Sequence, residues 1–281
     1  MAKAAAATDP FERAGTAVRT YDRDRYLADL FAPAALRRHL LALHAFDIDV
    51  ARIRGRVTDP RLGEIRIQWW RDAVHSGVST GHPLATALLE TIREFSLPVA
   101  AFDHLLDARV FDLYDDPMPT LNDLEGYAGD TAAAVIQLGA LILSRGTDPR
   151  SANAAGHAGV ALTLGRVLRG LPRNALQGQT FLPEAMVNSR GVDMTTVAAR
   201  QATPQLVSLL ADLRTIARQH LKQAELELAH LDRAILPAFL PIALIRPYLA
   251  KMEGTTYDPF TEVELPAWRR QWMLWRAARV M

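Results

Sequence analysis

The chain has 281 residues, 49% of them hydrophobic, and its 32 Lys and Arg side chains nearly balance its 31 Asp and Glu side chains. This balance argues against a nucleic-acid partner, because nucleic-acid binding relies on a surplus of positive charge. The chain contains no cysteine, which excludes disulfides, thiolate metal sites and cysteine nucleophiles. A chain of this length and hydrophobicity can bury a substantial core in one large domain or in two small ones.

Helical periodicity runs through most of the chain, and the alternation typical of strands is almost absent. Apolar residues at steps of three and four predict helices over residues 34–53, 65–77, 84–95, 102–114, 123–143, 152–171, 205–231 and 236–249. We predict one all-α domain over residues 20–265, after a disordered stretch at residues 1–19 and before a Trp- and Arg-rich helix at residues 266–281. The most apolar stretch, residues 234–250, is interrupted by prolines and too short to span a membrane, so we interpret it as a buried, broken helix.

Two of the predicted helices, residues 123–143 and 152–171, are rich in alanine and glycine. Small residues at positions such as Gly139, Gly159 and Gly165 allow two helices to approach closely. They can equally leave room for a ligand between helices. Both interpretations stay open at this point.

Three motifs carry a family resemblance. The first is YLADLFAP at residues 26–33, followed by LHAF at 43–46, and the second is YAG at 127–129. The third is LRGLPRN at residues 168–174, followed by QGQTFLP at 177–183. In order and spacing these motifs resemble the squalene/phytoene synthase family, whose members join two prenyl diphosphates. The resemblance implies an all-α, isoprenoid-synthase-type helical bundle around a central apolar cavity.

Enzymes of that family hold Mg²⁺ with two acidic clusters on facing helices, and the ions stabilise the leaving pyrophosphate. Here the first-cluster positions read ARIRGR at residues 51–56, and Gly170, Arg173 and Asn174 stand where the second cluster has acids. The comparison implies no catalytic residue, no metal ligand and no Mg²⁺ cofactor.

Acid pairs at helical spacing exist elsewhere, at Asp103 with Asp107 and at Asp112 with Asp116. Chance alone gives about three such pairs in a chain of this composition, since residues four apart share a helix face whatever their role. We interpret these acids as solvated or capping residues, with a relocated metal site as the alternative.

Arginines stand where the acids are missing, and guanidinium groups bind phosphate or carboxylate without a metal. The candidate ligand-binding residues are Arg52, Arg56, Tyr127, Arg166, Arg169 and Arg173. The ligand that they suit is an isoprenoid or another anionic, lipid-like molecule, and loss of Arg52 or Arg173 is expected to weaken its binding. The alternative is that these arginines pair with Asp47, Asp49 or Glu64, or face solvent.

One branch of the family resembles this chain more closely. This branch lacks both acidic motifs. The chain resembles it in the string GEIRIQWWR at residues 63–71, in the Leu-Pro pair inside the third motif and in the Trp- and Arg-rich C-terminal segment. That branch includes a mitochondrial assembly factor of respiratory complex I and bacterial relatives. It implies a non-catalytic protein that binds a ligand or a protein client. The alternative is an atypical prenyltransferase or terpenoid enzyme acting on isoprenoid diphosphates, detectable as Mg²⁺-dependent pyrophosphate release.

The C-terminal segment has the composition of an interfacial helix. The candidate membrane-contact residues are Trp268, Trp272, Trp275, Arg269 and Arg270. We therefore expect a cytoplasmic protein that is peripheral on the inner face of the membrane. In the alternative interpretation, the tryptophan stripe packs onto the body of the protein.

Overall fold

Fourteen α-helices run through the part of the chain that the computed structural model describes, residues 9–254 and 257–280, and no strand occurs there. In chain order they are α1 (Pro10–Tyr21), α2 (Arg23–Asp29), α3 (Ala34–Ala51), α4 (Pro60–Ser76), α5 (Pro83–Phe95), α6 (Val99–Val110), α7 (Leu121–Ala128), α8 (Ala134–Leu143), α9 (Ala152–Asn174), α10 (Glu184–Ser189), α11 (Met194–Ala198), α12 (Pro204–Leu228), α13 (Ile245–Lys251) and α14 (Ala267–Val280). A π-helical turn, Gly129–Ala133, joins α7 to α8. The all-α prediction is confirmed.

The N-terminal expectation needs correction. Residues 1–19 were expected to be disordered, but α1 begins at Pro10, in the first turn where proline is well tolerated. Phe11 and Val18, a helical repeat apart, are buried against α3 and α5. This short apolar stripe between charged residues was too weak a pattern to stand out from the alanine run before it. Residues 1–8 lie outside the described part of the chain.

The stretch 234–250 is broken and buried as predicted, forming two 3₁₀ turns and most of α13. By length and composition alone, Leu121–Leu143 is long and apolar enough to cross a membrane. This stretch covers α7, the π turn and α8, and 61% of its most apolar window is buried inside the protein. It is a core helix, because Leu138 and Ile142 are almost fully buried among other apolar side chains.

Helix α9 is central to the bundle and packs against α12, α7, α8 and the π turn. A Cβ atom at Gly159 would lie 2.5 Å from the backbone nitrogen of Ala133 in the π turn. A Cβ atom at Gly165 would lie 2.9 Å from Cδ1 of Ile245 in α13. Glycines at these two positions therefore serve close helix packing, one of the two interpretations that the sequence left open.

We expect Gly159→Ala to lower the free energy of unfolding by about 1–3 kcal/mol, because the added methyl group would force α9 away from the π turn. Gly156→Ala is the matched control on the same helix, where an added Cβ meets nothing within 4 Å. That change should raise stability by up to about 1 kcal/mol, since alanine favours helix over glycine. Urea unfolding of both variants measures the difference, and shifts of the same sign would refute the role assigned to Gly159.

Candidate functional site

A cavity of about 370 Å³ opens between α6, α7, α9 and the segment that joins α13 to α14. Four of the six predicted ligand-binding residues line it, namely Tyr127, Arg166, Arg169 and Arg173. Sequence reasoning did not find the fourth arginine of the lining, Arg109 on α6. The packing of the helices thus brings the second and third sequence motifs together at one cavity.

Arg52 and Arg56, the other two predicted residues, are not among the lining residues, and the expectation that they share this site is corrected. Helix α3 ends at Ala51, so these two arginines do not continue its face. The guanidinium of Arg52 lies 3.7 Å from the ring centre of Tyr21, and Nη1 of Arg56 donates a hydrogen bond to Asp49 at 2.7 Å. For Arg56 the alternative, pairing with a nearby acid, is what the structure shows.

The lining is more charged than the apolar cavity expected from the resemblance. Beside the four arginines it contains three acids, Asp112, Glu262 and Glu264. The polar groups leave only part of the wall apolar. The cavity therefore suits a molecule with both a charged and an apolar part.

Aromatic and aliphatic side chains form the apolar part of the wall. Phe181 and Val167 line it beside Tyr127, whose ring centre lies 5.9 Å from that of Phe181. Phe181 has a φ of +56°, a left-handed backbone conformation that is uncommon for a bulky residue. A bulky residue keeps such a conformation only where the surrounding structure holds it in place.

Behind the cavity wall, Asp47 forms ion pairs with two buried arginines that come from different helices. Its Oδ2 accepts a hydrogen bond from Nη1 of Arg25 at 2.8 Å, and its Oδ1 accepts one from Nη2 of Arg109 at 2.9 Å. All three side chains are at least nine-tenths buried. Burial alone would raise the pKa of Asp47, but the two arginines outweigh it and hold this pKa well below its ordinary value. The carboxylate therefore stays charged and fixes Arg109 in position.

Arg109 extends this network to the cavity wall. Its Nη1 donates hydrogen bonds to Oδ2 of Asp112 at 3.0 Å and to the hydroxyl oxygen of Tyr127 at 2.8 Å. The Tyr127 hydroxyl donates in turn to Oδ1 of Asp112 at 2.7 Å. Burial raises the pKa of both Tyr127 and Asp112. Tyr127 thus remains a neutral phenol, and both oxygens of Asp112 are already hydrogen-bonded.

The arginines on α9 are less fully neutralised. Arg166 lines the open cavity, and 44% of its side chain is accessible. Its acidic contact in the described part of the chain is Asp22, at 4.0 Å, which is beyond hydrogen-bonding distance. Burial, reinforced by the nearby Arg25, lowers the pKa of Arg166, although a guanidinium stays charged at neutral pH. An anion that reaches Arg166 would therefore gain charge-assisted hydrogen bonds.

Arg169 and Arg173 continue the same helix face towards the mouth of the cavity. The guanidinium of Arg169 lies 3.7 Å from the ring centre of Tyr248, and its buried Nε has no hydrogen-bond partner among the described residues. The nearest carboxylates to Arg169 and Arg173 are those of Glu264 and Glu262, each at 3.8 Å. Three arginines at steps of three and four along α9 thus offer hydrogen-bond donors to the cavity.

The acids of the region are a poor match for Mg²⁺. Within residues 9–254 and 257–280, no three His, Cys, Asp or Glu side chains are grouped so that they could hold a metal ion. Of the two acid pairs considered as a relocated site, the first is engaged elsewhere, since Asp103 contacts His75 and Asp107 contacts Arg71. Asp112 is committed to the arginine network described above. The donors that face the cavity suit an anion better than a cation.

Helix α14 docks onto the body through one face and exposes the other. Leu274 is completely buried against α2 and the 3₁₀ turns before α13. The tryptophans point outward and are exposed to different degrees, Trp268 by 69%, Trp272 by 50% and Trp275 by 44%. The aromatic stripe is therefore partly packed against the body and partly exposed, so it follows neither of the two sequence interpretations completely.

Two further features refine the predicted membrane-contact set. Arg270 faces inward, where its Nη1 donates a hydrogen bond to Asp24 at 3.0 Å, whereas Arg269 is exposed. The exposed Leu30 and Phe31, which sequence reasoning missed, lie in the same apolar groove as the three tryptophans. The outward surface therefore joins two segments that are far apart in the chain, and periodicity within one helix could not reveal it.

An all-helical bundle with a cavity between α6, α7 and α9 defines a protein of the isoprenoid-synthase fold class. A crystal structure of a dehydrosqualene synthase in complex with ligand matches it with a TM-score of 0.84, at 20% identity over 96% of both chains. The squalene/phytoene synthase profile matches residues 18–276, and the chain belongs to that family.

Two curated relatives show where in the family the similarity lies. The chain is 27% identical over 246 residues, 86% of its length, to 74% of "NADH dehydrogenase (ubiquinone) complex I, assembly factor 6" of Rattus norvegicus. It is 26% identical over 182 residues, 63% of its length, to 52% of the phytoene synthase of Rhodobacter capsulatus. The similarity to the rat assembly factor thus extends over more of both chains than that to this particular phytoene synthase.

Proposed function

We propose that this chain is a non-catalytic member of the squalene/phytoene synthase family that binds an anionic, lipid-like ligand in its cavity and supports assembly of respiratory complex I at a membrane surface. The observation that carries the ligand-binding part is the row of Arg166, Arg169 and Arg173 along the cavity, where no carboxylate of the described residues lies within hydrogen-bonding distance of them. The assembly part is supported by the similarity to the rat assembly factor over 86% of this chain.

The chemistry of the cavity favours binding over turnover. Ionisation of an allylic diphosphate needs Mg²⁺ to stabilise the departing pyrophosphate, and the cavity acids are bound to arginines or near them. Guanidinium groups hold a phosphate or carboxylate directly, with planar pairs of hydrogen bonds. The apolar wall at Val167 and Phe181 accommodates the hydrocarbon part of the same ligand.

Turnover and metal dependence are tested with the full chain. We expect no release of pyrophosphate from farnesyl or geranylgeranyl diphosphate in the presence of Mg²⁺. Millimolar Mg²⁺ should also leave the melting temperature unchanged. An ion that bound the native state would stabilise it and raise the melting temperature. Mg²⁺-dependent pyrophosphate release would instead favour the atypical prenyltransferase.

The membrane part of the proposal rests on the outward face of α14. Three exposed tryptophans lie there beside three exposed arginines, Arg269, Arg276 and Arg279, and the helix contains no acid. Aromatic side chains settle at the headgroup level of a bilayer, and each basic residue near an anionic surface contributes about 1 kcal/mol. Anionic phospholipid is the partner that this combination of charge and aromatic surface fits.

Replacing Trp268, Trp272 and Trp275 together by serine should abolish sedimentation with vesicles that contain phosphatidylglycerol, at a temperature where a melting curve shows the variant to be folded. Leu274→Ala is the matched control on the buried face of the same helix. It should cost about 2–5 kcal/mol of stability and retain vesicle binding at a temperature where it is folded. Binding by the wild type should also weaken as salt rises. A triple variant that still binds vesicles as the wild type does would rule out the tryptophan face as the membrane contact.

A further inference from the structure

The segment between α13 and α14 closes one side of the cavity with acidic side chains. We propose that residues 261–264, here called the acidic strap, compete internally for the arginine site, with the Glu262 and Glu264 carboxylates in the place of an anionic ligand. This inference rests on the proposed function of the cavity as an anion site, and it adds a regulatory element to that site.

The strap is held by its ends rather than by its carboxylates. Phe260, just before it, is 4% exposed, and its carbonyl oxygen accepts a hydrogen bond from Nη2 of Arg200 at 2.6 Å. Leu265, just after it, is 2% exposed. The carbonyl oxygen of Glu264 accepts a hydrogen bond from Nζ of Lys251 at 2.6 Å. These contacts fix the path of the backbone whether or not the two glutamates are charged.

The carboxylates lie where a ligand would meet the arginines. Glu262 and Glu264 line the cavity, and each approaches one arginine of α9, Arg173 or Arg169, to 3.8 Å. Both glutamate side chains are nonetheless 64% exposed, which leaves them room to swing outward. Exposed ion pairs at such a distance are weak, whereas a diphosphate with bidentate hydrogen bonds is held more strongly. A ligand of that kind would displace the carboxylates without moving the anchors at the ends of the strap.

An internal competitor lowers apparent affinity in proportion to the time that it occupies the site. Removing the two strap charges should therefore tighten binding of an anionic ligand. A purely structural role of the same glutamates predicts the opposite, since loss of an ion pair that shapes the cavity would weaken binding. The change in ligand affinity on removing the two charges therefore distinguishes the roles, since a competitor predicts a gain and a structural role predicts a loss.

The experiment compares the full chain with its Glu262→Gln/Glu264→Gln variant by calorimetric titration with farnesyl diphosphate in EDTA. We expect binding about three- to tenfold tighter in the variant. Glu225→Gln/Glu227→Gln on α12 is the matched control, because it removes the same charge from exposed residues outside the cavity lining. This control should stay within the error of the wild type. A melting curve of each protein checks that the variants are folded.

Each outcome decides one of the two proposals. Equal or weaker binding by the strap variant, with clear binding by the wild type, overturns the competitor and leaves the proposed ligand site standing. An equal gain in the α12 control also overturns it, since the effect would then come from net charge alone. If neither the wild type nor the strap variant binds farnesyl diphosphate, the ligand site itself fails, and the competitor fails with it.

Discussion

Replacing Asp47 by asparagine should lower the free energy of unfolding by about 3–5 kcal/mol, because it leaves two buried arginines without their shared carboxylate. The Asp47 side chain is 5% exposed, and its two oxygens accept hydrogen bonds from Arg25 and Arg109 at 2.8 and 2.9 Å. Asparagine keeps the size of the side chain but removes its charge, so the loss reports electrostatics rather than a cavity.

The same substitution makes a prediction about pH. The arginines hold the pKa of Asp47 in the folded protein well below its ordinary value of about 4. A carboxyl with a depressed folded pKa contributes stability that is fully present above the unfolded pKa and is lost as pH falls towards the folded pKa. The stability gap between wild type and Asp47→Asn should therefore be constant near neutral pH and narrow below about pH 4.

Chemical unfolding at a series of pH values tests both statements. Asp115→Asn is the matched control, because that aspartate pairs with Arg54 at 2.9 Å but is 58% exposed. A surface pair of this kind contributes about 0–1 kcal/mol, so the control should show little loss at any pH. A loss for Asp47→Asn no larger than that of the control would contradict the assigned network.

Loss of Arg166 should strongly weaken ligand binding. Removing a hydrogen bond to a charged group costs about 1.5–3 kcal/mol, roughly a 10- to 150-fold loss of affinity for a prenyl diphosphate. Arg166 lies deeper than Arg173, whose side chain is 72% exposed, so water screens its charge less. We therefore expect Arg173→Ala to weaken binding less than Arg166→Ala does.

Arg52→Ala is the matched control for this series. Sequence reasoning assigned Arg52 to the same site, but the structure places it over the ring of Tyr21, away from the cavity lining. Its removal should leave affinity within a factor of two or so, because a charge outside the site acts only through solvent. Equal losses from Arg52→Ala and Arg166→Ala would mean that net charge, not a defined site, attracts the ligand.

Local periodicity predicted the helices because each long helix carries its own apolar stripe. The same reasoning placed Arg166, Arg169 and Arg173 on one face, and α9 does present all three to the cavity. It failed where a helix ends without a strong signal. Nothing in the chain before Arg52 marks the end of α3, since no glycine or proline occurs there.

Contacts between distant residues were beyond sequence reasoning. Asp47 was considered as a partner for arginines, but its partners, Arg25 and Arg109, lie 22 and 62 residues away. A carboxylate at this distance in sequence has many possible cationic partners, and only the packing of α2, α3 and α6 selects two of them. The outward face of α14 was predicted, whereas the neighbouring Leu30 and Phe31 come from another segment brought beside it by the fold.

The measurement that bears most directly on the central claim is a calorimetric titration of the full chain with farnesyl diphosphate in EDTA. The account predicts binding without metal, an affinity that Mg²⁺ does not improve, and a loss of roughly 10-fold or more in Arg166→Ala but not in Arg52→Ala. Binding that appears only when Mg²⁺ replaces EDTA, or that survives in Arg166→Ala, would contradict a metal-free arginine site in this cavity.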